Sequence, residues 1–395
     1  MEHLNLLNRT RKILVEDLDK RQDDIRSIVE RSKFLVIGGA GSIGQAVVTE
    51  IFKRNPKTLH VIDVSENNLV ELIRDLRSSL GYVPGDFQTF ALDTGSEHFL
   101  HWLENTDKYD FVLNLSALKH VRSEKDAYTL MRMIDTNIMN VVSCMKILIE
   151  KGTKKYFVVS TDKAANPANL MGASKYIMER ALLNESHLIN FSSARFANVA
   201  FSDGSLLHGF DMRLKKRQPI SAPNDVRRYF ITAEEAGQIC LLSCLFGQNR
   251  EVFFPKLSDK LHQITFSNIA IRYLQSKGLV PHECETEDEA RNFFSLPCTS
   301  NKWPCYFFNS DTTGEKDFEE FHTETELVEL GQYNDLGVIK NLGHQHDPRV
   351  NDFLSQINEM QKRREYNRDV IIDLFKRTVE TLEHIETGKF LDDKM

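Results

Sequence analysis

Short apolar runs alternate with amphipathic segments through the first half of the chain. Each run has the length of a buried strand, and the segments between them repeat their apolar positions at helical spacing. The predicted strands are 34–37, 59–62, 87–92, 111–115 and 156–159, and the predicted helices are 42–53, 66–80, 126–150 and 175–184. This alternation predicts an α/β fold, with a doubly wound parallel sheet covered by helices on both faces.

The pattern changes on either side of this alternating region. Residues 1–32 carry leucines and isoleucines near helical spacing among many charges, which predicts an N-terminal helical extension. After Phe196, glycines and prolines separate short segments, and one further helix is predicted over 232–245. The last part of the chain returns to a charged, amphipathic helical pattern.

Composition excludes several classes of protein. The 395 residues suffice for one large or two moderate domains, and a net charge of −7 without a basic block argues against a nucleic-acid partner. No apolar run reaches the ~18 residues of a membrane span, and the start of the chain does not resemble a signal peptide. We therefore expect a cytoplasmic protein. The six cysteines show no metal-ligand spacing, which predicts free thiols and no metal site.

A glycine-rich turn follows the first predicted strand and opens the first predicted helix. Gly38, Gly41 and Gly44 have the spacing of a dinucleotide fingerprint, and the helix start, with Ser42 and Ile43, offers backbone N–H groups to a pyrophosphate. Asp63 ends the second strand, where an acidic side chain binds the adenosine ribose. Because Val64 and Ser65 after it are not basic, NAD is favoured over NADP as the cofactor.

Three more positions are candidates for contact with this cofactor. Asp93 follows the third strand and is placed to meet the adenine edge, although a cap before Gly95 explains it almost as well. Ala117 and Asn137 are expected to line the cofactor, and ordinary packing is an equal alternative for both.

Residues 160–175 follow the last strand of the alternating region and carry the candidate chemistry. Asp162 and Lys163 place an acid beside a base where strand ends open into the binding crevice of a parallel sheet. The segment has the spacing of the Ser…Tyr-x-x-x-Lys machinery of short-chain dehydrogenases, ending at Lys175. Met171 stands where the tyrosine belongs, and its thioether cannot transfer a proton. Another group must therefore supply the acid–base chemistry.

Taken together, several motifs resemble the nucleotide-sugar 4,6-dehydratases of the extended short-chain dehydrogenase/reductase superfamily. The resemblance spans roughly 33–320, and its motifs are 38–44, 115–121, 135–137, 160–175, 195–199, 225–230 and 314–316. Most members act on UDP-N-acetylglucosamine in the synthesis of bacterial surface glycans. Met171 is similar to the branch that retains configuration at C5 and serves bacillosamine and legionaminic acid pathways.

The residue pattern and the resemblance together predict four parts of the chain: a helical extension (1–32), a Rossmann-like NAD-binding domain (33–200), a mainly substrate-binding region (201–345) and a C-terminal helical segment (346–395). The resemblance also implies a homo-oligomer. Residues 280–312 have no counterpart in the family pattern, and Ala197 replaces its usual glycine.

The resemblance further implies a reaction without net redox change. Hydride leaves sugar C4 for NAD⁺, water is lost across C5 and C6, and the hydride returns to C6. Lys163 is expected to be the base at C5 and Asp162 the acid at the C6 oxygen. Thr161 is expected to bind the C4 oxygen, and Lys175 the nicotinamide ribose.

Substrate-binding roles are expected for a further set of residues: Lys119, Met171, Asn198, Arg228 and Glu315. Arg228 is a candidate diphosphate clamp, because a guanidinium binds phosphate through two parallel hydrogen bonds. The alternatives are a GDP-linked N-acetylglucosamine as substrate, a nucleotide-sugar epimerase or reductase, and a non-catalytic NAD-binding protein. Adjacent Asp162 and Lys163 argue against an epimerase, which has no C5/C6 elimination to carry out.

Overall fold

A nine-stranded sheet forms the centre of the molecule. The computed structural model describes residues 2–257, 261, 263–295, 301–310, 319–343 and 345–384. The strands are β1 (Lys33–Ile37), β2 (Thr58–Asp63), β3 (Asp86–Ala91), β4 (Phe111–Asn114), β5 (Lys155–Thr161), β6 (Phe191–Phe196), β7 (Asn198–Val199), β8 (Ile220–Pro223), β9 (Arg227–Arg228), β10 (Phe230–Ile231), β11 (Glu251–Pro255), β12 (Ile264–Thr265), β13 (Val280–Cys284), β14 (Lys302–Phe308), β15 (Leu327–Glu329) and β16 (Leu336–Lys340).

The helices are α1 (Glu2–Leu6), α2 (Val15–Asp19), α3 (Gln22–Arg31), α4 (Ser42–Phe52), α5 (Glu66–Ser79), α6 (Glu97–Asn105), α7 (Ala127–Ile134), α8 (Asn140–Glu150), α9 (Leu170–Asn184), α10 (Leu206–Lys215), α11 (Ala233–Phe246), α12 (Phe266–Ser276), α13 (Glu287–Asn292), α14 (Pro348–Arg363) and α15 (Arg368–Thr378). Between α7 and α8 the chain makes one π-helical turn, Asp135–Met139, where a single helix was expected.

The strand order is β15-β16-β11-β6-β5-β4-β1-β2-β3. Seven neighbouring strands, from β11 to β3, are parallel, and β16 and β15 close the other edge in antiparallel register. The parallel part has the doubly wound order of a dinucleotide-binding fold. The predicted fold class is confirmed, while α6 and β6 are elements that the sequence pattern did not predict.

Apolar side chains on the two faces of the sheet form two cores. One core joins α6 to α9 with the C-terminal helices α14 and α15, and the other joins α3, α4, α5 and α11. The five described cysteines are free and buried within the fold. Among the residues described, no helix is long and apolar enough to cross a membrane.

The predicted substrate-binding region is divided between two parts of the fold. Its α11, β11, β15 and β16 belong to the large sheet or pack on it, whereas β8, β13 and β14 form a separate three-stranded sheet. This smaller sheet packs with α10 and α12. The domain boundaries themselves stay a prediction.

Candidate active site

A cavity of about 620 Å³ lies at the carboxyl ends of β1 to β4. A volume of this size is typical of small-molecule sites. Five of the predicted cofactor residues line it: Gly38, Gly41, Asp63, Asp93 and Ala117. The structure therefore brings the glycine-rich turn and both carboxylates to one pocket.

Of the three fingerprint glycines, one has free space beside its Cα and two are closely packed against the protein backbone. Gly38 has φ +71°, and a Cβ there would lie 2.8 Å from the Ser116 nitrogen. A Cβ at Gly44 would lie 2.1 Å from the Gly38 oxygen, so α4 can approach the turn only with glycine there. At Gly41 the nearest atom is 3.6 Å away, which leaves space beside the start of α4. This arrangement fits a dinucleotide pyrophosphate at the helix N-terminus.

The residues that open α4 also contact other parts of the chain. The Ser42 hydroxyl accepts a hydrogen bond from the Asp203 backbone N–H at 2.8 Å, and the Ile43 side chain packs against the apolar core. The turn before α10 is therefore held against the predicted pyrophosphate site.

Asp63 and Asp93 use part of their hydrogen-bonding capacity on their own loops. The Asp63 carboxylate accepts from the backbone N–H groups of Ala40 and Ser65, both at 2.9 Å. Asp93 accepts from the Gly95 N–H at 2.9 Å, and Ser96 caps α6. Asp93 therefore both stabilises the turn and lines the cavity, so the two interpretations of this residue are compatible.

Asn137 lies fully buried beneath the loop that carries Ala117. Its amide group bonds both the N–H and the C=O of Leu118, at 2.9 and 3.0 Å, and also donates to the Ser174 hydroxyl. In this geometry Asn137 holds the Ala117 loop against α9. Direct contact of Asn137 with a cofactor stays a prediction.

The predicted catalytic residues meet at the carboxyl end of β5. Asp162 is 4% exposed, and its carboxylate contacts the Lys163 ammonium at 3.3 Å. The Thr161 hydroxyl donates to the same carboxylate at 2.7 Å. Lys163 keeps a partly exposed side chain, so it is the member of this pair that solvent reaches.

Met171 and Lys175 lie on the first two turns of α9, which Asn169 caps. The Met171 side chain is buried in the apolar core, and its backbone N–H donates to Glu124 at 3.0 Å. The Lys175 ammonium is buried and donates to the Val159 carbonyl at 3.1 Å. Burial lowers the pKa of Lys175 to about 8, against the opposing charge of Glu179.

A buried ion network connects β5, β6 and α9. The Arg195 guanidinium on β6 bonds the Glu179 carboxylate of α9 at 2.6 and 2.9 Å, and Glu326 at 2.9 Å. Ser160 of β5 donates to Glu179 at 2.6 Å, directly before the predicted catalytic residues. Arg195 also donates to the Phe321 carbonyl at 3.0 Å. It therefore connects the segment that follows residue 318 to α9.

Glu319, on this segment, is a site residue that the sequence did not reveal. It is 7% exposed, and its carboxylate accepts from the Asn198 amide at 2.6 Å and from the Tyr229 N–H at 2.8 Å. Burial, and then the negative charge of Asp162, raise the pKa of Glu319 to about 7, while Lys163 and Arg228 act in the opposite direction. Glu315, the acidic residue that was predicted to bind substrate, lies outside the described residues.

Two of the other predicted substrate residues are cations, Arg228 and Lys119, and neither lines the cavity at the ends of β1 to β4. Arg228 is buried on β9 and donates to the Arg227 carbonyl at 2.8 Å. The Lys119 ammonium donates to the Ser202 hydroxyl at 3.1 Å, and partial burial lowers its pKa. These cations supply positive charge where a nucleotide diphosphate is expected.

Comparison with known proteins identifies the family. The model of the family described as "Polysaccharide biosynthesis protein" matches residues 34–292. The chain belongs to this family. An uncharacterized membrane protein of Methanocaldococcus jannaschii is 28% identical over 81% of this chain and 89% of its own length. A UDP-N-acetylglucosamine 4,6-dehydratase (inverting) of Campylobacter jejuni is 28% identical over 56% of this chain and 66% of its length.

Some relatives are longer than this chain. The capsular polysaccharide biosynthesis protein CapD of Staphylococcus aureus is 29% identical over 67% of this chain, and the match covers only 46% of CapD.

Two solved structures share the fold. Pen from Bacillus thuringiensis has a TM-score of 0.64 at 21% identity and covers 85% of this chain and 99% of its own. DesIV, a dTDP-glucose 4,6-dehydratase of Streptomyces venezuelae, has a TM-score of 0.55 at 15% identity and covers 87% and 99%.

Part of the cavity lies outside the segment that the polysaccharide biosynthesis family model matches. Asn358 and Gln361 of α14 line it, together with Arg132 and Asp135 on the helices that follow β4, and the Gln361 amide donates to the Asp135 carboxylate. Burial raises the pKa of Asp135 to about 6. No sequence motif pointed to Asn358 and Gln361, because α14 has only the amphipathic pattern of a helix, whereas Asp135 belongs to the predicted motif 135–137.

Elsewhere in the fold, strand β13 and helix α13 bring His282, Cys284 and Glu289 together. Their potential metal-ligand atoms lie within 4.8 Å of one another. The Glu289 carboxylate accepts from the Glu285 N–H at 2.7 Å, and the Glu289 N–H donates to the Thr286 hydroxyl, which caps α13. These contacts account for the position of Glu289 without a metal ion.

Proposed function

We propose that this chain is a nucleotide-sugar 4,6-dehydratase that acts on UDP-N-acetylglucosamine. The observation that carries the proposal is the contact between the Asp162 carboxylate and the Lys163 ammonium at the end of β5. Elimination of water across C5 and C6 needs one base and one acid close together. The names of the Campylobacter jejuni relative and of DesIV support the same reaction class.

NAD is the proposed cofactor. When bound, it would supply the oxidation at sugar C4 and the reduction at C6 that together leave no net redox change. Gly38, Gly41 and the start of α4 would hold its pyrophosphate, and Asp63 its adenosine ribose. A carboxylate at this position disfavours the ribose phosphate of NADP. The buried Lys175 ammonium would bind the nicotinamide ribose.

Two proton transfers are assigned to residues of this chain. Lys163 removes the proton at C5, which a ketone at C4 has made acidic. Asp162 donates a proton to the C6 hydroxyl, which leaves as water. Lys163 must be neutral and Asp162 protonated at this moment, so one proton has to move from Lys163 to Asp162 in the contact that the structure shows. Thr161, which donates to Asp162, would turn its hydroxyl to the C4 oxygen. The proton of the C4 hydroxyl would leave through a water relay as the hydride leaves C4, and the Asp162–Lys163 pair would take up one proton from water after turnover.

We further propose that the reaction retains configuration at C5. A tyrosine at position 171 would be a second proton donor near the sugar, and the buried Met171 thioether is not. Lys163 is then the group that returns a proton to C5, on the face from which it was removed. The Campylobacter jejuni relatives are named as inverting, so this choice is where the present chain is proposed to differ from them.

The decisive experiment is incubation with UDP-N-acetylglucosamine in D₂O, followed by NMR and mass spectrometry. The proposal expects loss of one water, a 4-keto-6-deoxy product, deuterium at C5 and unchanged D-configuration. The L-configuration at C5 would overturn retention alone. A C4 epimer without loss of water would establish the epimerase instead, and turnover only with GDP-N-acetylglucosamine would move the proposal to that nucleotide.

Asp162→Asn and Lys163→Ala test the proton-transfer assignments. Each is expected to lower the dehydration rate by about 10²–10⁴-fold, since each removes one general acid or base. Both variants should bind NAD as the wild type does in calorimetry. Lys376→Ala, an exposed lysine of α15, is the control. Turnover near the wild-type rate in either site variant would contradict the mechanism.

A further inference from the structure

One wall of the proposed NAD cavity comes from a part of the chain far from the dinucleotide fingerprint. Asn358 and Gln361 of α14 line the same cavity as Gly41, Asp63 and Asp93. We propose that α14 is part of the cofactor site and that its two amide side chains bind the adenosine half of NAD. This inference rests on the proposed NAD cofactor, but not on the proposed reaction.

The apolar side of α14 fixes where its polar edge lies. Val350, Phe353 and Ile357 are fully buried and pack into the core formed by α6 to α9 and α15. Asn358 and Gln361 are three residues apart and therefore neighbours on one side of the helix. Because the buried stripe cannot turn without exposing its apolar area, the two amides are held at the cavity edge.

The start of α14 is tied to the helix that carries the catalytic lysine. The Asn184 amide at the end of α9 donates to the Asp347 carbonyl at 3.0 Å and accepts from the Asp347 N–H at 2.9 Å. Asp347 is also the N-cap of α14. These bonds fix α14 relative to α9, and so relative to the rest of the site.

The α14 wall lies beside the adenosine end of the cavity. The lining includes the residues after β2 and β3, Asp63 and Asp93, which in this fold class face the adenosine. Beside this wall, Asp135 in the π-helical turn also lines the cavity and accepts a hydrogen bond from the Gln361 amide. π-Helical turns are frequent at functional sites.

Amide side chains suit this ligand. A carboxamide offers one acceptor and two donors, and adenine presents an amino donor beside ring-nitrogen acceptors. Asn358 lies at the exposed mouth of the cavity, where its amide can meet an entering base. Gln361 would act by direct contact and by holding Asp135. The competing interpretation is that Gln361 and Asp135 only dock α14 on the domain.

The test measures binding by calorimetry, without any sugar present. Asn358→Ala and Gln361→Ala are each expected to weaken the binding of NAD and of ADP-ribose by about 3- to 10-fold, which is the effect of one lost hydrogen bond. Nicotinamide mononucleotide, which lacks the adenosine, should bind each variant as it binds the wild type. Gln356→Ala is the matched control, because Gln356 is on the same helix and pairs with Asp352 on the exposed side.

The outcomes separate the two interpretations. Unchanged NAD affinity in both site variants would overturn the proposal. Equal losses of affinity for NAD and for nicotinamide mononucleotide would also overturn it, since a general destabilisation of the domain would weaken both ligands alike. A chain that binds NAD in this adenosine-dependent way but dehydrates no sugar would refute the proposed reaction and leave this inference intact.

Discussion

Glu319 brings a second buried carboxyl group to the neighbourhood of Asp162 and Lys163. Its folded-state pKa of about 7 lies above its ordinary value of 4.5. A group with a raised folded-state pKa contributes stability that is complete below its unfolded pKa and is lost as pH rises through the folded pKa. Ionisation of Glu319 therefore destabilises the fold between about pH 4.5 and 7, by on the order of 3 kcal/mol in full.

Glu319→Gln is expected to remove this pH dependence. The wild type should lose thermal stability relative to the variant as pH rises from about 5 to about 8, which thermal unfolding at each pH would measure. The Asn198 amide can turn to suit the new side chain, so the fold should be kept. Glu324→Gln, an exposed carboxyl on the same segment, is the control. Parallel curves for wild type and Glu319→Gln would show that Glu319 ionises normally.

For single residues, the sequence predicts contacts between neighbours in the chain, and it misses contacts between residues that only folding brings together. Asp162 and Lys163 are adjacent in the chain, so their contact follows from their order. Glu319 reaches the same cleft only because Arg195 and Asn198 hold its segment there. Nothing local distinguishes it from its neighbour Glu320. Glu315 was the acidic residue that motif spacing selected.

At the scale of elements, the buried Arg195 links strand β6 to helix α9 through Glu179. Arg195→Met would leave the Glu179 and Glu326 carboxylates buried without their cation. Such a loss costs about 3–5 kcal/mol of unfolding free energy, which urea denaturation would measure. Arg291→Met, at a half-exposed arginine of α13, should cost less than about 1 kcal/mol. Similar costs for both variants would mean that the network does not stabilise the fold.

The sequence predicted helices and strands where apolar residues recur at the period of a helix or form the short apolar run of a buried strand. Strand β6 was missed because its buried serines bond backbone carbonyls. Ser192 donates to Ser243 at 2.8 Å and Ser193 to Val158 at 2.7 Å, so polar residues stand where an apolar run was sought. The π-helical turn was missed because it is a single turn between two α-helices, α7 and α8, which the sequence pattern joins into one helical stretch.

For the molecule as a whole, α14 should respond to a ligand that binds at the fingerprint. Hydrogen exchange of α14 amides is expected to slow by about 10-fold or more when NAD saturates the cavity, since opening of α14 would then require loss of the ligand. Mass spectrometry of exchanged peptides measures this. Peptides of α13, on the small sheet, serve as the control. Equal exchange in α14 with and without NAD would contradict its place in the site.

Residues that are in contact in this fold are often far apart in the chain, so the ribosome synthesises them at different times. The strands β1 to β6 leave the ribosome early, but Arg195 meets Glu326 and the cavity meets Gln361 only much later. A nascent chain that ends before α14 exposes an unfinished cavity and an uncovered apolar face on α9. The proposed cofactor cavity is therefore completed only once α14 has been synthesised, when the strands that bear the cavity are already present.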